Sequence, residues 1–339
     1  MHSWHASVQE LFGLAFGTAL LASFFATPQV RKLALKVGVL DKVDERRMHA
    51  EPKPRIGGIA VYLGLASALF VTIGFALHTT LFHSANDTQD FFGLLFGGTL
   101  IMLVGVWDDV MGMRPRNKFV AQIVVAVVSM VYGFHIPGFD VPGRGYVNLP
   151  FWVDYPLTLV WYLGMMNAIN FLDGLDGLLA GVTAISGLFL FAIASAHGHV
   201  GAALVLCALV GGALGFLPYN FNPAKIILGD AGSLLIGYVF ATVSLLITAK
   251  IAVTVSLLVP LLALALPVLD TAVAILRRIR AGKAITEADR GHFHHVLVFR
   301  FGMGVRQAVI LIYVVSFLLG AAAYLLSGSA GHLRLAGFV

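Results

Sequence analysis

The feature that most constrains this chain is a series of long apolar runs that recurs from one end to the other. Each run is about 17 to 25 residues long, the length that an α-helix needs to cross a hydrocarbon core of about 30 Å. Only 12% of the 339 residues are charged, roughly half the proportion found in ordinary soluble domains. We therefore expect one all-α polytopic membrane domain over residues 1–339, with helices because lipid offers backbone groups no other partner.

The apolar runs predict about ten transmembrane helices. Their expected ranges are 8–30, 57–78, 91–106, 118–134, 154–170, 179–197, 200–217, 232–248, 252–276 and 306–326. Of the 22 Lys and Arg residues, 19 lie in the segments that follow odd-numbered helices, and so on one side of the membrane. The positive-inside rule makes that side cytoplasmic. Both termini are then expected on the opposite side.

Aspartates gather at the same side of the membrane. They occupy the predicted cytoplasmic ends of helices three, five, eight and nine: Asp108, Asp109, Asp173, Asp176, Asp230 and Asp270. A charged side chain costs about 2.5 to 3.5 kcal/mol at the centre of a membrane helix. Carboxylates brought together also repel one another unless a cation lies among them. The pattern therefore favours a cation site at the inner edge of the membrane.

The segment NAINFLDGLDG ends the fifth predicted helix with regularly spaced polar residues. Asn167, Asn170, Asp173 and Asp176 follow one another at intervals of three, so each lies about one turn from the next. The glycines beside the aspartates let backbone approach a ligand. The alternative is a polar helix end followed by a tight loop. It explains the aspartates poorly, because negative charge at a helix C-terminus opposes the helix dipole.

Two further acidic segments lie at helix ends. In GVWDDVMGMRPRNK, Asp108 and Asp109 point about 100° apart on a helix. One of them can hold a metal while the other orients or deprotonates a substrate; a solvated interfacial pair is the alternative. In PYNFNPAKIILGDAGSLLIG, Asp230 can cap the eighth helix or hold Mg²⁺ beside a phosphate at the helix start. These two roles are compatible.

Basic and histidine-rich loops complete the pattern. Lys53 and Arg55, next to prolines in EPKPRIGG, are candidate phosphate or nucleotide contacts, whereas lipid anchoring better explains the arginines before them. The HFHH segment of the last inner loop could chelate zinc. However, no cysteine lies nearby and the aspartates are hard oxygen ligands, so Mg²⁺, or Mn²⁺, is the expected metal. Together these features suit phosphoryl transfer to a lipid.

These segments resemble the polyprenyl-phosphate N-acetylhexosamine-1-phosphate transferases. The blocks DKVDERRMHAEPKPRIGG, GVWDDV, NAINFLDGLDGLLAG, NPAKIILGDAGSLLIG, LDTAVAILRRIRAGK and DRGHFHHVL appear in the family's order. The last block is similar to that of the WecA/TagO-like branch, the undecaprenyl-phosphate GlcNAc-1-phosphate transferases. The resemblance implies Mg²⁺-dependent transfer of N-acetylglucosamine 1-phosphate from UDP-GlcNAc to undecaprenyl phosphate, with release of UMP. It further implies the first membrane step of an envelope glycan, such as teichoic acid or lipopolysaccharide.

The candidate site residues follow from the loops and the resemblance together. The candidate catalytic residues are Asp108, Asp109, Asp173 and Asp176, and the candidate metal ligands are Asp230 and Asp109. The candidate substrate contacts are Lys53, Arg55, Lys118, Asn170, Asn220, Arg290, His292, His294 and His295. The resemblance also implies a bacterial cytoplasmic membrane protein with a cytoplasmic active site, and it is compatible with a homodimer.

Several alternatives stay open from the sequence. The donor could be another UDP-N-acetylhexosamine, as in phospho-N-acetylmuramoyl-pentapeptide transfer. Direct displacement, with Asp108 orienting or deprotonating the lipid phosphate, is favoured over a phosphorylated aspartate because a phosphate dianion is already a nucleophile. A cation-coupled transporter is the rival of another class, since carboxylates within membranes often mark ion paths. Asp270 is expected to be scaffolding or the partner of an arginine, and the family topology allows eleven helices.

Overall fold

The computed structural model describes residues 2–41, 52–79, 85–141, 145–248, 258–280 and 292–328. The helices within these ranges are α1 (His2–Val37), α2 (Gly58–Thr79), α3 (Ala85–Met111), α4 (Pro115–Val131), α5 (Phe151–Leu172), α6 (Leu178–Ala196), α7 (Val200–Asn220), α8 (Gly229–Thr248), α9 (Leu258–Ala263), α10 (Ala265–Arg280), α11 (Phe293–His295) and α12 (Val305–Leu326). A π-helical turn, Val296–Arg300, follows α11. The strands are β1 (Leu40–Asp41), β2 (Lys53–Pro54), β3 (Gly138–Val141) and β4 (Gly145–Asn148).

The predicted all-α polytopic membrane architecture is confirmed. Each predicted transmembrane range overlaps a helix, and the ninth overlaps two, α9 and α10, on either side of Leu264. Among the described residues, seven helices are long and apolar enough to cross a membrane: α1, α2, α3, α6, α7, α8 and α12. Helix α4 has only 17 residues, and α5 carries an acid and a proline in its first turns. The total of ten therefore stays a prediction.

Helix α8 lies at the centre of the bundle, against α2, α3 and α5, while α7 packs against α1, α2 and α6. Lipid provides no hydrophobic drive to join apolar helices, so close packing at small residues has to hold them together. Gly237 of α8 illustrates this, because a Cβ there would stand 2.7 Å from the Cα of Met166 on α5. The backbones of α5 and α8 can therefore approach closely, which fixes how their ends meet.

Two short antiparallel hairpins flank the bundle. Leu40 pairs with Pro54 and Asp41 with Lys53, so β1 and β2 bring the end of α1 beside the start of α2. Strands β3 and β4 pair from Gly138↔Asn148 to Val141↔Gly145. The Gly- and Pro-rich segment between α4 and α5 suits either an interface-hugging loop or a hairpin, and the structure contains the hairpin.

The ends of several helices converge at one end of the bundle, which we call the acidic end and define by Asp108, Asp176 and Asp230. Lys53 pairs with Asp176 and Lys118 with Asp230, so residues predicted to share a membrane face are in contact. We call the opposite end, defined by the β3–β4 hairpin and Asp154, the hairpin end. The assignment of the acidic end to the cytoplasm stays a prediction based on the distribution of Lys and Arg.

Candidate active site

Lys118 bridges two carboxylates that come from different helices. Its Nζ lies 3.1 Å from Asp108 Oδ2 and 2.9 Å from Asp230 Oδ2. Asp108 lies near the end of α3, Asp230 in the first turn of α8 and Lys118 in the first turn of α4. The two carboxyl groups are also within hydrogen-bonding reach of each other. This arrangement holds two like charges together and places a cation between them.

Asn170, near the C-terminal end of α5, joins the same group. Its Nδ2 donates to Asp230 Oδ1 at 2.6 Å and to Ser233 Oγ at 2.7 Å. Both oxygens of Asp230 therefore accept hydrogen bonds, one from an amide and one from an ammonium. We call Asp108, Lys118, Asn170 and Asp230 the carboxylate cluster. The sequence predicted these four members, but not Ser233, which lies three residues after Asp230 and so nearly one helical turn along α8.

Asp109 makes different contacts from its neighbour Asp108. Its two oxygens accept the backbone N–H groups of Asp230 and Ala231, both at 3.0 Å, which are donors left free at the start of α8. Arg55 Nη2 adds an ion pair at 3.1 Å. The side chain of Asp109 is 0% exposed, whereas that of Asp108 is 12% exposed and that of Asp230 is 20% exposed. These contacts favour Asp109 as the support of α8 and leave Asp108 to face a ligand.

The donor set of the carboxylate cluster fits Mg²⁺. Mg²⁺ in phosphate-handling sites is usually held by one or two carboxylates together with substrate oxygens, and here two carboxylates lie around a position that attracts a cation. No group of three or more His, Cys, Asp or Glu suited to a metal occurs among the described residues. A site completed by substrate phosphate does not need such a group. The geometry pairs Asp230 with Asp108, whereas the sequence paired it with Asp109.

Asp176 organises a second group next to the cluster. Its Oδ2 accepts from Lys53 Nζ at 2.7 Å, from Asn222 Nδ2 at 3.1 Å and from the backbone N–H of Ala224 at 2.9 Å. The Asp176 side chain is buried. These bonds tie β2 and the α7–α8 connection to the end of α5. Asp176 thus has the environment of a positioning residue, and its predicted catalytic role stays a prediction.

Asn220 and Asp173 are two further residues that the sequence predicted for the site. Asn220 is buried; its side chain accepts from the Gly177 N–H at 3.1 Å and donates to the Ile226 carbonyl at 3.0 Å. Its contacts are thus with the protein backbone, although the sequence predicted substrate contact. Asp173 follows the last residue of α5, and its backbone N–H donates to the Asn170 carbonyl. Its side chain is only partly buried, as a ligand contact requires.

The histidine segment forms a third group. His292 Nδ1 lies 3.1 Å from Asp270 Oδ2, and His292, His294 and His295 are in successive ring contact. His294 is 1% exposed, and a Cβ on Gly174 would collide with its Nε2. Burial, with a smaller contribution from His295, lowers the pKa of His294 to about 3, so its ring is neutral at ordinary pH. The remaining predicted contact, Arg290, lies outside the described residues.

The end of α5 and the connection that follows it are common to all three groups. The helix contributes Asn170 to the carboxylate cluster, and the connection contributes Asp176 to the second group and places Gly174 against His294. Phe171, in the same helix end, has its ring centroid 5.4 Å from that of His292 and 5.7 Å from the Arg278 guanidinium carbon. Sequence reasoning did not single out Phe171. The sequence did contain a signal for Phe171, because it is an aromatic residue directly after Asn170 at the helix end richest in polar residues.

The chain is similar to known glycosyl transferases. The family model described as "Glycosyl transferase family 4" matches residues 91–248. A Bacillus subtilis protein named as a probable undecaprenyl-phosphate N-acetylglucosaminyl 1-phosphate transferase is 34% identical, with 95% of this chain and 87% of the relative aligned. A Mycolicibacterium smegmatis decaprenyl-phosphate N-acetylglucosaminephosphotransferase is 36% identical over 88% and 77%. An Escherichia coli undecaprenyl-phosphate alpha-N-acetylglucosaminyl 1-phosphate transferase is 30% identical over 91% and 83%.

Proposed function

This chain belongs to glycosyl transferase family 4, among the polyprenyl-phosphate N-acetylglucosaminyl 1-phosphate transferases, and on that premise we propose that it acts on UDP-GlcNAc and undecaprenyl phosphate. It transfers N-acetylglucosamine 1-phosphate to the lipid, forms undecaprenyl-diphosphate-GlcNAc and releases UMP. The reaction takes place at the cytoplasmic face of a bacterial cytoplasmic membrane and begins the assembly of an envelope glycan.

The observation that carries the proposal is the carboxylate cluster at the end of a membrane bundle. Lys118 lies within 3.1 Å of both Asp108 and Asp230, where α3, α4 and α8 reach the same edge. Phosphoryl transfer needs positioning and charge neutralisation more than covalent help from the protein. A cluster at the membrane edge offers both to a reaction between a lipid phosphate and a nucleotide diphosphate.

In the reaction, an oxygen of the lipid phosphate forms a bond to the sugar-linked phosphorus of UDP-GlcNAc. The bond from that phosphorus to the UMP oxygen breaks, and UMP leaves with the electron pair. Asp108 orients the attacking phosphate, while its Oδ1 is fixed by the Met113 N–H at 2.7 Å. Lys118 has three N–H donors, of which two face the carboxylates. The third is available to a phosphate oxygen.

Mg²⁺ would be held by Asp230 and Asp108, and when bound it neutralises phosphate charge during transfer. Asp109 and Arg55 hold the first turn of α8 in place, and with it Asp230. Lys53, fixed by Asp176 at 2.7 Å, brings a further positive charge to the same edge. We assign phosphate recognition to Lys53, Lys118 and the histidine segment.

The direct test is an assay with the purified full-length protein, Mg²⁺, UDP-GlcNAc and undecaprenyl phosphate. We expect release of UMP that requires the lipid, and background release for Asp230→Ala and Asp108→Asn. A comparison with UDP-GalNAc and UDP-MurNAc-pentapeptide establishes the donor. No UMP from any of the three donors would refute the proposal. Recovery of a sugar-phosphate covalently bound to the protein after incubation with UDP-GlcNAc alone would replace direct displacement by the two-step route.

A further inference from the structure

Asp270 on α10 makes two bonds to consecutive residues of the histidine segment. Its Oδ2 lies 3.1 Å from His292 Nδ1, and its Oδ1 accepts the backbone N–H of Phe293 at 2.8 Å. Both side chains of the His292–Asp270 pair are largely buried. One carboxylate on a bundle helix thus fixes both the ring and the backbone of a segment 22 residues further along the chain.

We propose that Asp270 is a positioning residue for the transfer reaction, which sets the tautomer and orientation of His292. A carboxylate accepts hydrogen bonds and donates none when ionised. The contact therefore requires a proton on His292 Nδ1, and in the neutral ring it leaves Nε2 as an acceptor. The inference rests on the proposed function, because the histidine segment, which includes His292, is assigned there to phosphate recognition.

The surroundings of His292 restrict its ring as well. Its centroid lies 5.4 Å from that of Phe171 and 5.8 Å from that of His294, to which it is nearly parallel at 13°. Phe171 in turn lies beside the Arg278 guanidinium, which also comes from α10. Helix α10 thus places Asp270 and Arg278 around one short stack of rings. A ring held by Asp270 and by its neighbours has little freedom to present the other nitrogen.

This arrangement is coupled to the carboxylate cluster through α5. Phe171 directly follows Asn170, whose amide donates to Asp230 at 2.6 Å. The ring that contacts His292 and the amide that contacts Asp230 are therefore on adjacent residues of one helix. A change in the His292 ring alters the surface next to the cluster, whereas the cluster's own contacts do not involve Asp270.

The variant that separates a positioning role from simple support is Asp270→Asn. The new side chain has nearly the same shape, and its oxygen can still accept from the Phe293 N–H. Its amide, however, donates to His292 Nδ1, so the ring proton moves to Nε2. Asp270→Asn therefore keeps the hydrogen bond from the Phe293 N–H but changes which nitrogen of His292 carries the proton. Hydrogen-bonding partners of metal-ligating histidines typically account for about 10- to 100-fold in affinity or activity, and by analogy we expect a loss of similar size in kcat/KM for UDP-GlcNAc.

The matched control is Asp154→Asn at the hairpin end. Asp154 also pairs with a histidine, since its Oδ2 lies 2.6 Å from His135 Nδ1, and it also accepts a backbone N–H, from Ile136 at 3.0 Å. The same substitution there inverts a similar pair far from the carboxylate cluster. We expect kcat/KM within about twofold of the unchanged protein and an unchanged KM for undecaprenyl phosphate in both variants.

A spectroscopic measurement tests the tautomer without relying on activity. Protein with ¹⁵N-labelled histidine is compared at a pH about two units above the usual histidine pKa, and the His292 signals are those lost in His292→Gln. We expect the proton on Nδ1 in the unchanged protein and on Nε2 in Asp270→Asn. If the unchanged protein releases no UMP, the proposed function fails while this result still stands. The same tautomer in both proteins, or full activity in Asp270→Asn, would overturn the positioning role.

Discussion

Both ends of the bundle contain an aspartate held in a hydrogen-bonded group, Asp154 at the hairpin end and Asp230 at the acidic end, but the partners come from different parts of the chain. At the hairpin end, Asp154 accepts from Ile136 and Thr158 and contacts His135, all within one connection and the helix that follows it. At the acidic end, the groups that meet come from α3, α4, α5 and α8. Partners that are close together in the sequence stabilise a hairpin, whereas partners contributed by several helices form a site.

The position of the acids along their helices adds to this difference. Asp154 lies in the first turn of α5, where negative charge is favourable to the helix dipole. Asp108 lies near the C-terminal end of α3, where the dipole opposes it. An acid kept in an unfavourable place needs compensation from Lys118 or from a bound cation. We therefore expect the Asp108 carboxylate to disfavour the end of α3 unless a cation lies beside it.

The largest expected contrast comes from one substitution made at both ends. Asp230→Asn removes the charge that faces Lys118 and the position assigned to Mg²⁺, and we expect UMP release to fall by about 10³-fold. Asp154→Asn replaces the charged contact with His135 by a neutral one and should cost about 1 to 3 kcal/mol of stability while the rate is kept. UMP release and thermal unfolding of both variants are measured side by side. Equal rates in the two variants would remove the distinction between the ends.

The second contrast is within the acidic end, between adjacent residues. Asp109→Asn points an amide at one of the N–H groups of Asp230 and Ala231, so we expect a loss of about 3 kcal/mol of stability. Asp108→Asn keeps the bond from Met113 and relieves repulsion with Asp230, so its stability should change by less than about 1 kcal/mol although activity is lost. Chemical or thermal unfolding of both variants measures these two changes in stability. Unchanged stability of Asp109→Asn would show that the start of α8 does not depend on the hydrogen bonds that Asp109 accepts.

The sequence predicts the acidic end because its signals are local. The length of each apolar run locates a helix, and polar residues at the end of the run locate Asp108, Asn170 and Asp230. The alternation of basic and non-basic connections then places these ends on one face. Each of these inferences needs only the order of residues along the chain. The prediction that Lys118 contacts phosphate depends instead on the resemblance to the transferase family.

The order of residues along the chain does not show whether Asp108 or Asp109 joins Asp230 at the metal position. That choice depends on how α3 is rotated against α8, and that rotation depends on contacts between distant residues. Gly229 has φ +74°, and a Cβ there would stand 2.5 Å from Asp109 Oδ2, so the start of α8 closes directly onto this carboxylate. The partner of Asp270 is equally non-local, because it depends on where the histidine segment docks on α10.

The third contrast concerns the response of the two ends to Mg²⁺. If Asp108 and Asp230 hold the ion, Mg²⁺ at about 100 times its Kd stabilises the fold by about 2.7 kcal/mol. We expect thermal unfolding of the unchanged protein and of Asp154→Asn to shift upward with MgCl₂, and that of Asp230→Asn and Asp108→Asn not to shift. Potassium chloride at equal ionic strength is the control. An equal shift in all four proteins would show that Mg²⁺ binds elsewhere. A shift that persists in Asp108→Asn but not in Asp230→Asn would show that Asp230 binds the ion without Asp108.

The smallest contrast is a dependence of stability on pH that arises at His294. Burial, together with the neighbouring His295 and His292, lowers the pKa of His294 to about 3, with Asp270 acting in the opposite direction. The unfolded chain takes up a proton on this residue below about pH 6.5, whereas the folded chain resists it until near pH 3. Stability is therefore complete above pH 6.5 and falls as the pH decreases, by about 1 kcal/mol per pH unit. His294→Leu removes the titrating ring and keeps an apolar side chain in its place, so the slope of the unfolding free energy against pH should be smaller between about pH 6.5 and 4.5. The same slope in His294→Leu as in the unchanged protein would mean that other groups cause the acid sensitivity.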